Sequence, residues 1–280
     1  MNFSPALLFT LPSGFLYQTC LFLTGLMAGS FLNVVVYRLP IMLKQQRTPD
    51  ANTFNLCFPS SHCPKCKDAI RFWQNIPLIS WLLLRGKCHC CKGHIPVRYP
   101  LCELTCALLF LGSSFLFSTP IALLSALLLI WFLLALSLID ISTFLLPDIL
   151  TLPLMWLGLL LHSLSGSVSL HDALYGAATG YLSLWSLFWS FRILCKKEGM
   201  GYGDFKLMAA LGAWVGWQPL LYLYILAAML GLSYSLTRSL LRKTAGEIPF
   251  GPCLSLAGAL VYISQNSNPF WLMVLLSPIG

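Results

Sequence analysis

Charge is what this 280-residue chain has least of: Asp, Glu, Lys and Arg together make up 9% of it, where a soluble globular domain carries about 25%. Only nine residues are acidic. That shortage excludes a disordered polar tail, a charge-laced coiled coil and an ordinary cytosolic enzyme, each of which needs a solvated charged surface. The length and the apolar bulk exclude a small secreted disulfide scaffold. Basic residues are missing before Arg38, so the start of the chain does not read as a secretory signal peptide, which needs a basic n-region. They are missing again from Tyr99 to Phe191. There is no internal repeat and no low-complexity tract. A glycine-rich dinucleotide fingerprint after a strand is also lacking.

What is present is apolar. Hydrophobic residues reach 58%, and the mean hydropathy is +0.78. Runs of about 17–25 apolar residues are long enough to cross a bilayer as helices. They predict spans at Phe15–Tyr37, Pro100–Phe117, Ile121–Ile139, Ile149–Leu164 and Ala173–Phe191. Two passes are predicted between Lys206 and Arg238, broken near Gly216–Pro219, the first of them short. Pro252–Ser264 and Phe270–Ile279 finish the chain as one broken span or two short ones. The predicted class is an all-α polytopic membrane protein of about eight transmembrane helices with a small loop domain. Its expected divisions are a first helix (1–38), a polar loop domain (39–99) and a membrane-embedded remainder (100–280).

All 17 Lys and Arg fall in three blocks, Arg38–Arg98, Arg192–Lys206 and Arg238–Lys243. In a polytopic protein such blocks mark cytoplasmic loops under the positive-inside rule rather than a nucleic-acid surface. The expected partners therefore include membrane lipid and no nucleic acid. The polar loop is expected in the cytoplasm and the N-terminus outside.

Cysteine is abundant, at 11 residues. Four stand as two pairs in the polar loop, Cys63-Pro64-Lys65-Cys66 and Cys88-His89-Cys90-Cys91. Paired C-x-x-C turns at this separation read as a zinc ribbon, because Zn²⁺ takes four thiolates tetrahedrally and each turn supplies two. A reducing cytoplasm favours metal over two disulfides. Cys63, Cys66, Cys88 and Cys91 are the expected ligands of a structural zinc, with Cys90 an alternative to Cys91. His62, His89 and His94 read as surface residues. Cys20, Cys102, Cys106, Cys195 and Cys253 read as small packing residues.

The acidic residues are few enough to weigh singly. Asp50, Asp68, Glu198 and Glu247 fall in polar loops, and Asp172 reads as a helix cap in an outside turn. Glu103, Asp140, Asp148 and Asp204 adjoin apolar runs, where an ionisable group is a functional hypothesis by default. Glu103 has Arg98 as a nearby ion-pair partner. Asp148, after Leu146-Pro147, reads as an N-cap. Asp140 and Asp204 end two apolar runs on the same side. Two carboxylates meeting in a poorly hydrated site share a proton, which supplies one general base and one general acid for peptide hydrolysis. The Gly201-Tyr202-Gly203-Asp204 turn admits close approach by an extended backbone. The rival readings are a phosphate-cradling turn, a plain N-cap at Asp204, or a proton or cation relay in a transporter that carries a zinc ribbon. A non-enzymatic scaffold that docks partners through the ribbon is a further one.

In ordered combination the motifs resemble the bacterial type IV prepilin peptidases, the leader peptidase/N-methyltransferases. Gly29–Pro40, the two C-x-x-C sites, Asn75–Trp81, Arg98–Leu104, Ile139-Asp140, Leu146-Pro147-Asp148 and Gly199–Lys206 carry the likeness nearly end to end. It implies a GxGD-type aspartic protease of the bacterial inner membrane. Such an enzyme cuts prepilin and pseudopilin leaders after a glycine on the cytoplasmic side. It then N-methylates the new terminus with S-adenosylmethionine. By motif position the catalytic pair is Asp140 and Asp204, not Asp148, and Asn33, Arg38 and Glu103 are candidates toward the methyl donor. A peptidase without methylation, as in archaeal preflagellin peptidases, is the nearest alternative, and the cysteine-bearing loop argues against it.

Overall fold

The structure, a computed structural model, describes residues 14–45, 54–63, 65–165, 168–196, 200–241 and 249–267. It is all-helical there, with no strand among the described residues and only two isolated bridges. The helices are α1 (Phe15–Gln45), α2 (Ile79–Leu83), α3 (Arg98–Leu116), α4 (Pro120–Thr143) and α5 (Asp148–Ser165), then α6 (Leu170–Cys195), α7 (Tyr202–Val215), α8 (Leu220–Leu240) and α9 (Gly251–Asn266). A short 3₁₀ turn, Phe72–Asn75, precedes α2. Among the described residues four helices are long and apolar enough to cross a membrane, namely α1, α3, α4 and α8. The chain is a multi-pass membrane protein. The expected segment Phe270–Ile279 lies outside the described residues, as do Asp50, Glu198, Gly199 and Glu247.

The chain forms two compact units, one running to Leu123 and one from Leu124. In the first unit α1 packs on α3. Contact is closest at Gly29, where a Cβ would come within 2.7 Å of the Glu103 Cα. That packing puts α3 with α1 in the first unit. Helix α1 also runs two turns beyond the expected end at Tyr37, through Arg38, Leu39 and Pro40 to Gln45. Arg38 explains the extension. Its guanidinium is buried and donates to the carbonyls of Asn55 (3.0 Å) and Pro59 (2.7 Å). The loop thus covers a helical turn that would otherwise be free.

Polar groups at the α1 and α3 ends hold this loop. Asn33 Nδ2 donates to the Tyr99 carbonyl at 3.1 Å. Glu103 is buried and accepts from the Leu78 amide at 2.8 Å, with the Ser30 hydroxyl on the same carboxylate. Glu103 therefore does not use Arg98 as its partner. Arg98 instead lies over the Tyr99 ring. The local reason is geometric: Leu78 has φ 61, which aims its amide back toward α3.

The second unit is organised around α7. Its 14 residues span about 21 Å at 1.5 Å per residue, short of the roughly 30 Å hydrocarbon core. Every residue from Phe205 to Val215 except Lys206 is buried, because α5, α6 and α9 all pack on it. The α6–α7 crossing is tight enough that a Cβ on Gly212 would lie 2.1 Å from the Gly176 carbonyl oxygen. The far end of α7 is capped by side chains. His162 Nε2 bonds the Trp214 carbonyl at 2.8 Å, and Gln265 Nε2 donates to the Val215 carbonyl at 3.1 Å. These satisfy acceptors that a helix C-terminus leaves open. At the start of α6 the N-cap is Ser169 rather than the expected Asp172. Asp172 sits at the third helical position, donates its amide to Ser169 Oγ, and accepts from that hydroxyl and from the Trp217 indole.

Candidate active site and metal centre

In the second unit two acidic side chains are brought together from separate helices. Asp140 lies in the last turn of α4 and is 6% exposed, and Asp204 lies in the first turn of α7 and is 8% exposed. They are close enough for the charge of one to act on the other. Asp204 is not the N-cap of α7. That place belongs to Gly201, in extended conformation at φ −81°, ψ 148°, and the Gly201 amide bonds the Asp204 carboxyl from the N-cap position. Asp140 Oδ2 accepts the Gly251 amide, at the first position of α9, at 2.9 Å. A helix N-terminus is a natural place for a carboxylate.

Two glycines make room for this arrangement. A Cβ on Gly251 would lie 2.7 Å from Asp140 Oδ2, and one on Gly203 would lie 2.7 Å from the Leu146 Cβ. Leu146 is thus wedged against the Gly203 turn, beside Gly251. Asp148 takes a different position. It opens α5 at the surface, and both its oxygens accept Lys206 Nζ at 2.7 Å. The structure therefore brings Asp140, not Asp148, to Asp204. Gly251 was missed in the sequence, and Leu146 was named there only as part of the Leu146-Pro147-Asp148 motif. The available signal was Pro249-Phe250-Gly251-Pro252, a glycine between prolines at a helix start.

In the first unit two turns repeat one geometry. The Cys63 amide donates to the Asp68 carbonyl (2.9 Å) and the Lys67 amide returns to the Cys63 carbonyl (2.9 Å). Cys88 does the same with Gly93 (2.8 Å) and Lys92 (3.1 Å). His62 bridges Ala69 and Lys87 bridges His94, while Lys67 and Lys92 share a left-handed backbone at φ 62 and 55. In this register Cys91 is the counterpart of Cys66, and Cys90 points elsewhere. The sulphurs of Cys63, Cys66, Cys88 and Cys91 all lie within 4.8 Å of one another. Cys63 and Cys91 are 3.9 Å apart, and Cys66 and Cys88 are 4.0 Å apart. A tetrahedral zinc with Zn–S of about 2.3 Å separates its ligand atoms by about 3.8 Å, whereas a disulfide needs about 2.05 Å.

The electrostatics also suit a cation. The amides of Cys66 and Lys65 bring the Cys63 thiol down to about 6. The Asp68 amide favours the Cys66 thiolate. Loss of solvent and the neighbouring sulphurs outweigh it and push Cys66 up to about 12. Four thiolates at this spacing repel one another, and a divalent ion at their centre lets all four ionise. The four sulphurs fit such an ion. Asn33, Arg38 and Glu103 gather at the junction of the loop with α1 and α3, each engaged with main-chain groups.

Residues 23–117 match the profile of the bacterial peptidase A24 N-terminal domain, and residues 127–236 match that of the type IV leader peptidase family. A prepilin leader peptidase/N-methyltransferase of Aeromonas hydrophila is 47% identical over 95% of this chain and 98% of its own length. The chain belongs to this family. A protein of the same name from Pectobacterium carotovorum subsp. carotovorum is 49% identical over 87% of this chain and 92% of its own. One from Pseudomonas aeruginosa is 47% identical over 91% and 93%. No solved structure matches the chain significantly. The four clustered cysteines fall in the first matched region, and Asp140 and Asp204 fall in the second.

Proposed function

We propose that this protein removes the leader peptide of type IV prepilins and pseudopilins and methylates the new N-terminal residue, with Asp140 and Asp204 as the proteolytic pair. The observation that carries the reading is the convergence of two buried carboxylates from α4 and α7 beside a glycine-rich turn. The ionised carboxylate of the pair takes a proton from water as that water attacks the scissile carbonyl. The protonated carboxyl donates to the carbonyl oxygen; the proton taken from water then passes to the leaving amine, and the donor carboxyl recovers a proton from the tetrahedral intermediate as the C–N bond breaks. The extended backbone at Gly201 lets a substrate strand lie alongside the pair. Cleavage falls after a glycine, on the cytoplasmic side of the inner membrane, where the basic loops are also expected.

Cys63, Cys66, Cys88 and Cys91 would hold a structural zinc in the 39–99 loop domain, which it would supply with a fixed fold rather than with chemistry. S-adenosylmethionine is the methyl donor and enters as a substrate. Asn33, Arg38 and Glu103 shape the loop on which that second activity depends. The test is mass spectrometry of a prepilin incubated with membranes containing the protein, with and without S-adenosylmethionine. The leader should be lost in both, and the mature product should be one methyl group heavier only with the donor. An uncut prepilin in both would overturn the reading.

The Gly251 contact makes a separate prediction. Gly251→Ala drives a methyl group into Asp140 Oδ2 and removes the free approach to its amide. Leader cleavage should fall at least ~10-fold, equivalent to ~1.4 kcal/mol in the barrier, at unchanged protein level in the membrane. Cleavage rates normalised to immunoblotted protein provide the check.

A further inference from the structure

The loop between α1 and α3 carries an apolar patch that the proteolytic and methylating activities do not explain. Ile76, Ile79, Leu82 and Leu83 are all exposed, Leu82 at 59% and Leu83 at 74%. Helix α2 buries none of its residues. Trp81 is the side chain that this segment turns inward: its indole donates to the Ile95 carbonyl at 3.3 Å and lies against Gly86. Leu82 and Leu83 are left on the outside.

The same segment is fixed at the end of a membrane-spanning helix. The Leu78 amide donates to Glu103 in the second turn of α3. At that level α3 itself exposes Leu101, with Val97 just before it. The patch is thus held where the apolar surface of a span begins. Its rim is cationic. Leu83, Leu84, Arg85, Lys87, Cys88 and Lys92 line one shallow pocket. Arg85, Lys87 and Lys92 are exposed, as is Arg71, and Asp68 is the one acidic residue among the described residues from 54 to 97. Apolar side chains next to lysine and arginine, at the depth where a span leaves the bilayer, form an interfacial anchor: the apolar groups enter the acyl boundary and the cations meet headgroup phosphates.

We infer that residues 76–83 lie in the bilayer interface, with Arg85, Lys87 and Lys92 against anionic lipid headgroups, so that the loop domain is docked on the membrane surface rather than suspended above it.

The experiment uses the full chain in nanodiscs containing equal amounts of phosphatidylglycerol and phosphatidylcholine. A photo-reactive leucine analogue replaces Leu83, or Ile79 in a second preparation. After irradiation, adducts are identified by mass spectrometry. Lipid adducts are expected at both positions. Phosphatidylglycerol should be enriched over phosphatidylcholine by about fivefold or more, the effect of one or more cations at a charged surface. The combined Arg85→Gln, Lys87→Gln and Lys92→Gln variant should lose that enrichment. The unaltered charges in high salt should lose it too, which keeps the charge arm readable if the triple variant misfolds. Adducts to residues of the second unit, to another copy of the chain or only to water would overturn the inference. An enrichment unchanged in high salt would overturn the role of the cations.

Discussion

Asp140→Asn and Asp204→Asn are each expected to abolish leader cleavage, with a loss of at least ~10²-fold, the lower range for general acid–base catalysis. An amide has the shape of a carboxyl group but cannot take up or release the proton that the reaction moves. Asparagine at 140 can still accept the Gly251 amide, and asparagine at 204 still fits the first turn of α7, so the fold should survive and the loss should be chemical. Asp148→Asn is the contrasting case. Asp148 is exposed and bonded to Lys206, and an exposed pair of this kind contributes roughly 0–1 kcal/mol. Its loss should leave cleavage within a few-fold of wild type. Cleavage of a prepilin by membranes bearing each variant separates the cases. An inactive Asp148→Asn beside an active Asp140→Asn would transfer the proteolytic role to the surface residue.

Loss of the metal should divide the two activities. A loop domain of about 60 residues has too little core to be secure without a staple. A structural zinc supplies about 10–16 kcal/mol of binding free energy to the folded form, comparable with the whole stability of a domain, about 5–15 kcal/mol. Cys63→Ser and Cys88→Ser should each release the zinc and unfold the loop domain. Cys90→Ser should keep it, because Cys90 lies outside the four-sulphur cluster. Methylation should then fall more steeply than cleavage, since Asp140 and Asp204 belong to the second compact unit and the cysteines to the first. Metal analysis is expected to find about one zinc per chain in wild type and in Cys90→Ser, and none in the other two. Wild-type protein free of metal and fully active in methylation would remove the zinc site from the argument.

The legible parts of this protein were those with a local signature. Apolar runs of spanning length marked the helices because a bilayer imposes both composition and length on any segment that crosses it. The short pass after Lys206 was visible as a run too brief to span, and α7 is that helix. Two C-x-x-C turns were visible because each ligand pair is local in sequence. The extension of α1 to Gln45 was not visible, since the apolar run stops at Tyr37 before the basic Arg38, and only the contacts of Arg38 with the carbonyls at 55 and 59 show why the helix continues.

Composition, hydropathy and cysteine spacing thus determined by themselves an all-helical membrane protein with a paired-cysteine loop, and they narrowed the acidic candidates to four. Among those four, motif position in the family resemblance selected Asp140 and Asp204, and the tertiary structure adds what each of them touches. Asp140 and Asp148 are both acidic residues at the edge of an apolar run, and spacing alone does not distinguish them. Burial against the N-terminus of α9 sets one apart, and a surface lysine sets the other. Glu103 likewise had a plausible neighbour in Arg98, but the left-handed Leu78 supplies the amide that it takes. Cys91 is distinguished from Cys90 only by the repeated turn that puts it in register with Cys66. For Asp140, Asp148 and Glu103 the deciding partner is a main-chain group or a side chain remote in sequence, and pairings of that kind exist only once the chain has packed.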